Sequence, residues 1–267
     1  MKADFHIHSN FSSDSDTKPE CMVEQAISLG LDTICFTDHY DKDYSVNKDE
    51  FQLDVDRYFA TMKDLRDRYK NKIDIRIGVE FGLQPHLGKF CKELVNAYPF
   101  DFVIGSVHVK GIYDPYHGTF FEGKTDEEAY RETFEATLVN IKNNQDFDVL
   151  GHLDYVVRYG KTKADNYSYN QHSEIIDEIL KFLIMNGKGI ELNTAGFKYG
   201  LGFCHPHPDI IKRYKELGGE IITIGSDGHK PEHLAYDFYR VSGILRNCGF
   251  EKYTEFISRK PIFRQLP

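Results

Sequence analysis

The chain has no tryptophan and only five cysteines, Cys21, Cys35, Cys91, Cys204 and Cys248, in 267 residues. None of them stands at CxxC spacing and their number is odd, which argues against a disulfide framework and for a reducing, cytoplasmic setting. Unpaired spacing also makes cysteine a poor zinc ligand here, and Cys35, inside an apolar run, reads as core. No apolar run approaches the ~18–20 residues of a membrane span. The N-terminal Met1-Lys2-Ala3-Asp4-Phe5-His6 begins in a strand-like pattern, with no signal-peptide core. Positive charge is in deficit: the formal charge is -9. That disfavours nucleic acid bound through a basic face, although metal ions could still supply the local charge a phosphate needs. Low-complexity stretches and linkers are missing as well, so residues 1–267 read as one domain of a size common among α/β barrels.

What is present is a repeated strand–helix alternation, with 40% apolar residues and 20 phenylalanines to fill a core. Strands are expected over 3–8, 33–37, 73–79, 100–107, 147–151, 189–192 and 220–225. Helices are expected through Val23, Ala26 and Ile27 to Gly30, then over 51–69, 85–96, 125–143, 172–186, 207–217 and 232–247. Thr17-Lys18-Pro19-Glu20 has capping-box spacing at the first helix. Alternating strands and helices imply a parallel sheet. Seven such units predict a distorted, TIM-like (β/α)7 barrel. An open doubly wound sheet, with a site fed by only two or three strand ends, is the alternative.

The strand ends carry His or carboxylate: His6 and His8, Asp38-His39, Glu80, His108, His152, and Asp227 with His229. Only the sixth strand offers none. His6 and His8 share one strand face, because side chains alternate. Taken singly, each has an ordinary explanation: exposed strand histidines, satisfied core histidines, or, for Asp14, a polar turn. Glu80 is the exception, since a buried carboxylate needs a metal or a basic partner. Together they describe one site assembled at the C-terminal ends of barrel strands, where α/β barrels keep their chemistry. Imidazole and carboxylate suit zinc, manganese or iron.

The set His6-Ile7-His8, Thr37-Asp38-His39, Gly78-Val79-Glu80, Ser106-Val107-His108, Gly151-His152 and Ser226-Asp227-Gly228-His229 resembles the PHP (polymerase and histidinol phosphatase) superfamily. The segment from His8 to Asp14, Gly151-His152-Leu153-Asp154 with Arg158, and Glu191-Leu192-Asn193-Thr194-Ala195-Gly196 are similar to its histidinol-phosphatase branch. That branch often has arginine where this chain has Lys198. The resemblance implies two or three divalent ions. His6, His8, Glu80 and Asp227 would surround the first; Glu80, His108 and His152 the second; Asp14, His39 and His229 the third.

It also implies hydrolysis of a small phosphate monoester, histidinol phosphate in histidine biosynthesis. A metal-bridging hydroxide would attack phosphorus, with Glu80 and Asp227 central to that machinery. Arg158 is the expected phosphate clamp, because a guanidinium fork fits phosphate oxygens, although a surface cation would look the same in sequence. Lys198 and His207 are further candidates for substrate contact. His205 or His207 could protonate the leaving oxygen, or both could be exposed loop residues. Asp154 could orient Arg158 or His152, and the loop Tyr113-Asp114-Pro115-Tyr116-His117 could cover the site. A phosphoesterase acting on nucleotides or single-stranded DNA ends, a tyrosine phosphatase of similar fold, and a relative that binds metal without catalysis are the competing readings. Oligomeric state is left open by the sequence.

Overall fold

A computed structural model describes residues 1–267. The strands are β1 (Ala3–Ile7), β2 (Thr33–Phe36), β3 (His39–Tyr40), β4 (Asp74–Gly82), β5 (Phe102–Ser106), β6 (Val149–Leu150), β7 (Gly189–Asn193) and β8 (Ile222–Gly225). All pair in parallel, in the order β1-β2-β4-β5-β6-β7-β8, with the short β3 lying beside β4. The ends of the sheet meet: Ile7 bridges Gly228, and the His8 amide donates to the Gly228 carbonyl at 2.9 Å. The sheet is therefore a nearly closed seven-strand barrel, as the strand–helix alternation predicts. An open doubly wound sheet is not what forms.

The helices α1 (Pro19–Ser28), α2 (Val55–Tyr69), α3 (Gly88–Ala97), α4 (Asp126–Asn143), α5 (Ser173–Met185), α6 (Ala195–Lys198), α7 (Pro208–Glu216) and α8 (Val241–Asn247) accompany the strands. Each long helix buries one stripe. In α5, Ile175, Ile176, Ile179, Leu180 and Leu183 are buried, at the spacing that keeps side chains on one helical face. The strands bury both faces, the usual state of a parallel sheet covered by helices.

Three local expectations change. Thr17 does not cap α1; Lys18 precedes the helix without a side-chain cap, and the Thr17 hydroxyl donates instead to the His229 carbonyl at 3.0 Å. The tether from Thr17 to a loop at the site wins over the local cap. The helix expected over 232–247 is reduced to α8, preceded by two 3-10 turns, because Ala235 and Asp237 sit at φ 51° and 54°. A left-handed backbone cannot continue an α-helix. Finally, residues beyond 247 form an antiparallel hairpin, β9 (Lys252–Ile257) and β10 (Lys260–Gln265), that the sequence reading did not anticipate. The hairpin is fastened to the barrel. Phe256 packs on Phe102 with ring centroids 5.0 Å apart, and Arg259 Nη2 lies 3.0 Å from Asp148 Oδ1.

One buried group lies apart from the site. His172 is 2% exposed, its ring 5.2 Å from that of Phe134, and neither ring nitrogen has a hydrogen-bond partner. Burial pushes its pKa down, Glu127 pulls it up slightly, and Arg131 lowers it further. The unfolded chain therefore takes up this proton more readily than the folded one. Stability contributed by neutral His172 is present above the unfolded pKa of about 6.5 and is lost as pH falls below it. His172→Phe should flatten the fall in Tm between about pH 7 and pH 5. Parallel wild-type and variant curves would mean that this histidine takes up its proton equally in the folded and unfolded states.

Candidate metal and phosphate site

The strands deliver the side chains to one point. In β4 the expected end at Glu80 is exceeded by two residues. Glu80 lies within the strand, paired with His39 on one side and Ile104 on the other. Its carboxylate is fully buried and faces two groups of imidazoles. Oε2 lies 3.1 Å from His6 Nε2, 3.5 Å from His8 Nε2 and 3.0 Å from His39 Nδ1. Oε1 lies 3.2 Å from His108 Nε2 and 2.9 Å from His152 Nε2. Asp227, just past β8 and held at φ 52°, brings Oδ1 to 3.4 Å from His8 Nε2 and 3.9 Å from His6 Nε2. Asp14 Oδ2 sits 3.0 Å from His229 Nε2 and 3.7 Å from His39 Nε2. The nine residues expected to ligate metal thus converge, Asp14 included.

This donor set suits divalent ions. His8 Nε2, His39 Nδ1 and His229 Nε2 are buried yet aligned in no hydrogen bond, although carboxylate oxygens are near. Nitrogen and oxygen lone pairs that approach without pairing are aimed at common points between them. Four groups of three ligand atoms fall within 4.8 Å of one another, among them His6, His8 and Glu80, and Glu80, His108 and His152. The electrostatics agree. Burial alone would raise the pKa of Glu80, but His6, His39 and His108 hold it well below the usual carboxylate range. Asp227 is held low in the same way, chiefly by His6 and His8. Burial opposes charge on His6 and His108 as well, and the surrounding carboxylates overcome it and raise both. Cations that take these positions displace protons, so metal loading weakens as pH falls.

The imidazoles are held from behind, as ligating histidines usually are. Glu191 Oε1 is 2.6 Å from His6 Nδ1, and Glu191 Oε2 accepts from the His152 amide at 3.0 Å. Asp41 Oδ2 is 2.6 Å from His108 Nδ1. Ser12 Oγ lies 3.2 Å from His8 Nδ1 and donates to Asp38 Oδ1 at 2.9 Å. Asp38, one of the strand-end carboxylates, supports an imidazole from behind: it accepts from Ser9 and from Ser12, whose hydroxyl lies against His8 Nδ1. The sixth strand supplies no ligand but does supply Glu191. Its signal was present in sequence: in Ile190-Glu191-Leu192-Asn193, polar residues alternate with apolar ones, which puts Glu191 on the interior face of a barrel strand. Asp41 carried no comparable signal, since it stands in a loop rich in aspartate.

A cleft of about 400 Å³ opens beside the imidazoles and is lined by Arg158, Tyr155, Tyr159, Tyr199, Asp114 and Tyr116 among others. The Arg158 guanidinium carbon lies 4.3 Å from the ring centroids of both Tyr155 and Tyr199 and 5.0 Å from that of Tyr159. It forms no ion pair, and its Nε is buried without a partner. Stacked on aromatic faces and free of carboxylate, it keeps its donors available. Lys198 stands behind Asp227, donating from Nζ to the Asp227 carbonyl at 3.0 Å, and does not line the cleft.

Two expectations about the histidines after β7 are corrected. His207 does not line the cleft; its Nδ1 accepts from the Asp209 amide at 3.2 Å at the start of α7, and its ring packs on Phe203. His205 is fully buried, with Nδ1 2.5 Å from Asp154 Oδ1. Asp154 also accepts from the His207 amide and Tyr167 Oη. That carboxylate is used to fix the loop before α7, not to orient Arg158 or His152.

A model of the PHP domain matches residues 4–195. The chain belongs to the PHP domain family. Curated relatives include the histidinol-phosphatase of Lactococcus lactis, 35% identical over 97% of this chain and 96% of that protein. A probable histidinol-phosphatase of Clostridium acetobutylicum is 33% identical, with 94% and 95% covered. Among solved structures, the Lactococcus lactis histidinol phosphate phosphatase complexed with zinc, L-histidinol and phosphate superposes with a TM-score of 0.90 over 98% of each chain. A putative histidinol phosphatase from Listeria monocytogenes, 21% identical, shares the fold with a TM-score of 0.78 over 89% of this chain and 99% of that one. The family expected from the strand-end motifs is the one found, and with it the use of divalent metals. No helix is long and apolar enough to cross a membrane.

Proposed function

We propose that this protein hydrolyses L-histidinol phosphate to L-histidinol and phosphate, as a metal-dependent phosphoric monoester hydrolase of histidine biosynthesis. The whole chain acts as one catalytic domain in the cytoplasm, where its five free cysteines stay reduced. The observation that carries the reading is the convergence of nine histidine and carboxylate side chains beside an unpaired, aromatic-stacked arginine in one cleft. The near full-length similarity to histidinol-phosphatases supports the choice of substrate.

His6, His8, Glu80 and Asp227 would hold one divalent ion, Glu80, His108 and His152 a second, and Asp14, His39 and His229 a third. Bound ions supply a nucleophile from water near neutral pH and offset phosphate charge. The chain's own residues do the rest. Glu80 sets the spacing between the two imidazole groups. Glu191, Asp41 and Ser12 hold His6, His108 and His8 by their Nδ1 atoms, so that Nε2 faces inward. Arg158 binds two phosphate oxygens and orients the ester for in-line displacement, in which a bond forms from water oxygen to phosphorus and the bond to the alcohol oxygen breaks. The tyrosines around Arg158 exclude water from its guanidinium face, which strengthens its grip on the phosphate.

Arg158→Ala should raise KM for histidinol phosphate about 10- to 100-fold, the loss expected for a charge-assisted bidentate contact. An unchanged KM would remove Arg158 from the phosphate site. The activity itself is tested by phosphate release from histidinol phosphate, an aryl phosphate, a nucleoside monophosphate and single-stranded DNA, using metal-loaded protein. A kcat/KM for histidinol phosphate at least about a hundredfold above the others is expected. Equal or better turnover of nucleotide or DNA would move the enzyme to another phosphoesterase class, and no turnover with metal bound would leave a non-catalytic relative.

A further inference from the structure

We propose that Asp114 selects substrates carrying a cationic group, and that Tyr44 is its positioning residue. The inference rests on the reading above, that the cleft takes an aminoalkyl phosphate, and assigns the end of the site remote from phosphorus.

The carboxylates lining the cleft fall into two kinds. Asp14, Asp41 and Asp227 belong to the imidazole cluster, where charge is balanced by histidines or metal. Asp114 and Glu50 lie outside it. Glu50 is partly exposed and held by Asn47 Nδ2 at 3.1 Å. Asp114 is buried, 6% exposed, yet no lysine, arginine or histidine pairs with it. Its hydrogen bonds come from Tyr44 Oη to Oδ2 and from the Tyr116 amide to Oδ1, each at 2.7 Å. A carboxylate has room for about four such bonds, so acceptor capacity is left on a group whose negative charge nothing offsets. A buried charge without a counter-ion is costly. A cation arriving with the substrate removes that cost.

The surroundings fit an organic cation rather than a bare ion. Tyr116, two residues on, meets Tyr159 edge-on with ring centroids 5.9 Å apart, and Tyr159 in turn carries the Arg158 guanidinium. Aromatic faces thus run between the unpaired cation and the unpaired carboxylate. A molecule with phosphate at one end and a protonated nitrogen at the other is complementary to that row, and aromatic faces favour the cationic end as well. Nucleotides, which lack a cation there, gain nothing from Asp114. The position of the carboxylate depends on Tyr44, because the Tyr44–Asp114 bond joins the segment after β3 to the loop after β5, across the cleft.

The test compares histidinol phosphate with phenyl phosphate, which has no cation, in the metal-loaded enzyme. Asp114→Asn should lower the ratio of the two kcat/KM values about 10- to 100-fold. It should weaken inhibition by L-histidinol by a similar factor while leaving inhibition by inorganic phosphate nearly unchanged. Tyr44→Phe, which keeps the carboxylate and removes its tether, should lower the same ratio by a smaller factor, mostly through KM. It decides the matter if Asp114→Asn does not fold. An unchanged ratio would overturn the proposal, and if both substrates slow equally Asp114 is reduced to loop packing. A wild-type enzyme that does not prefer histidinol phosphate would instead overturn the proposed function, which separates the two failures.

Discussion

Glu80→Gln should remove most bound metal and lower kcat by about three orders of magnitude or more, with the barrel intact. The substitution keeps shape and volume and takes away one charge. Five imidazoles lie within 3.5 Å of that carboxylate, three at one oxygen and two at the other, so its two oxygens face both halves of the cluster. Glutamine has one acceptor oxygen in place of two, and its amide nitrogen presents hydrogens where a cation should sit. Metal content by elemental analysis, read together with circular dichroism, checks the outcome. Full metal occupancy with lost activity would give Glu80 a role in the reaction without one in binding. Full occupancy with full activity would mean that the two groups of histidines hold their ions independently.

How much of this site could be read from the chain follows from where each residue stands. His6, His108 and His152 terminate or follow short apolar strands, and the parallel alternation of strands and helices says that such ends share one rim of a barrel. Strand ends on one rim bring distant residues together without any knowledge of side-chain geometry. Glu80 was legible as a buried charge even though its strand runs on to Gly82. The supporting groups were harder. Asp41 reaches His108 across 67 positions of sequence, and nothing local distinguishes it from the aspartates beside it. His205 and His207 misled for the complementary reason: histidine in a loop after a strand has the look of a site. Which way such a loop folds is set by Asp154, 51 residues away from His205. The hairpin after Asn247 went unseen because β10 is mostly exposed and so lacks the alternation that marks a half-buried strand. In general the main-chain frame dictated what periodicity could reveal, whereas long-range side-chain pairs did not announce themselves.

Gly225→Ala should loosen the metal centre without touching a ligand. Gly225 lies in β8 with ordinary extended backbone, so conformational freedom does not explain the glycine. Space does. A Cβ there would stand 2.3 Å from Glu191 Oε1 and 2.3 Å from the His6 Cβ. Both neighbours are buried and neither can retreat far: His6 is fixed in β1, and Glu191 is tied to the His152 amide and Asn193 Nδ2. The glutamate is the softer of the two and is expected to move, giving up its 2.6 Å contact with His6. Metal affinity should fall about 10- to 100-fold, the usual cost of losing a carboxylate behind a ligating histidine. Overpacking should cost about 1–3 kcal/mol of stability. Gly243→Ala is the matched control, because a Cβ in that helix meets nothing within 4 Å and should stabilise by about 0.5–1 kcal/mol. The double variant Gly225→Ala with Glu191→Ala makes the cause explicit. If displacement of Glu191 is how the new methyl group acts, the double variant should bind metal no worse than Glu191→Ala alone and should recover part of the lost stability. Additive losses in metal affinity would show that the methyl group acts on His6 directly, and the glycine would then be space kept for the ligand itself.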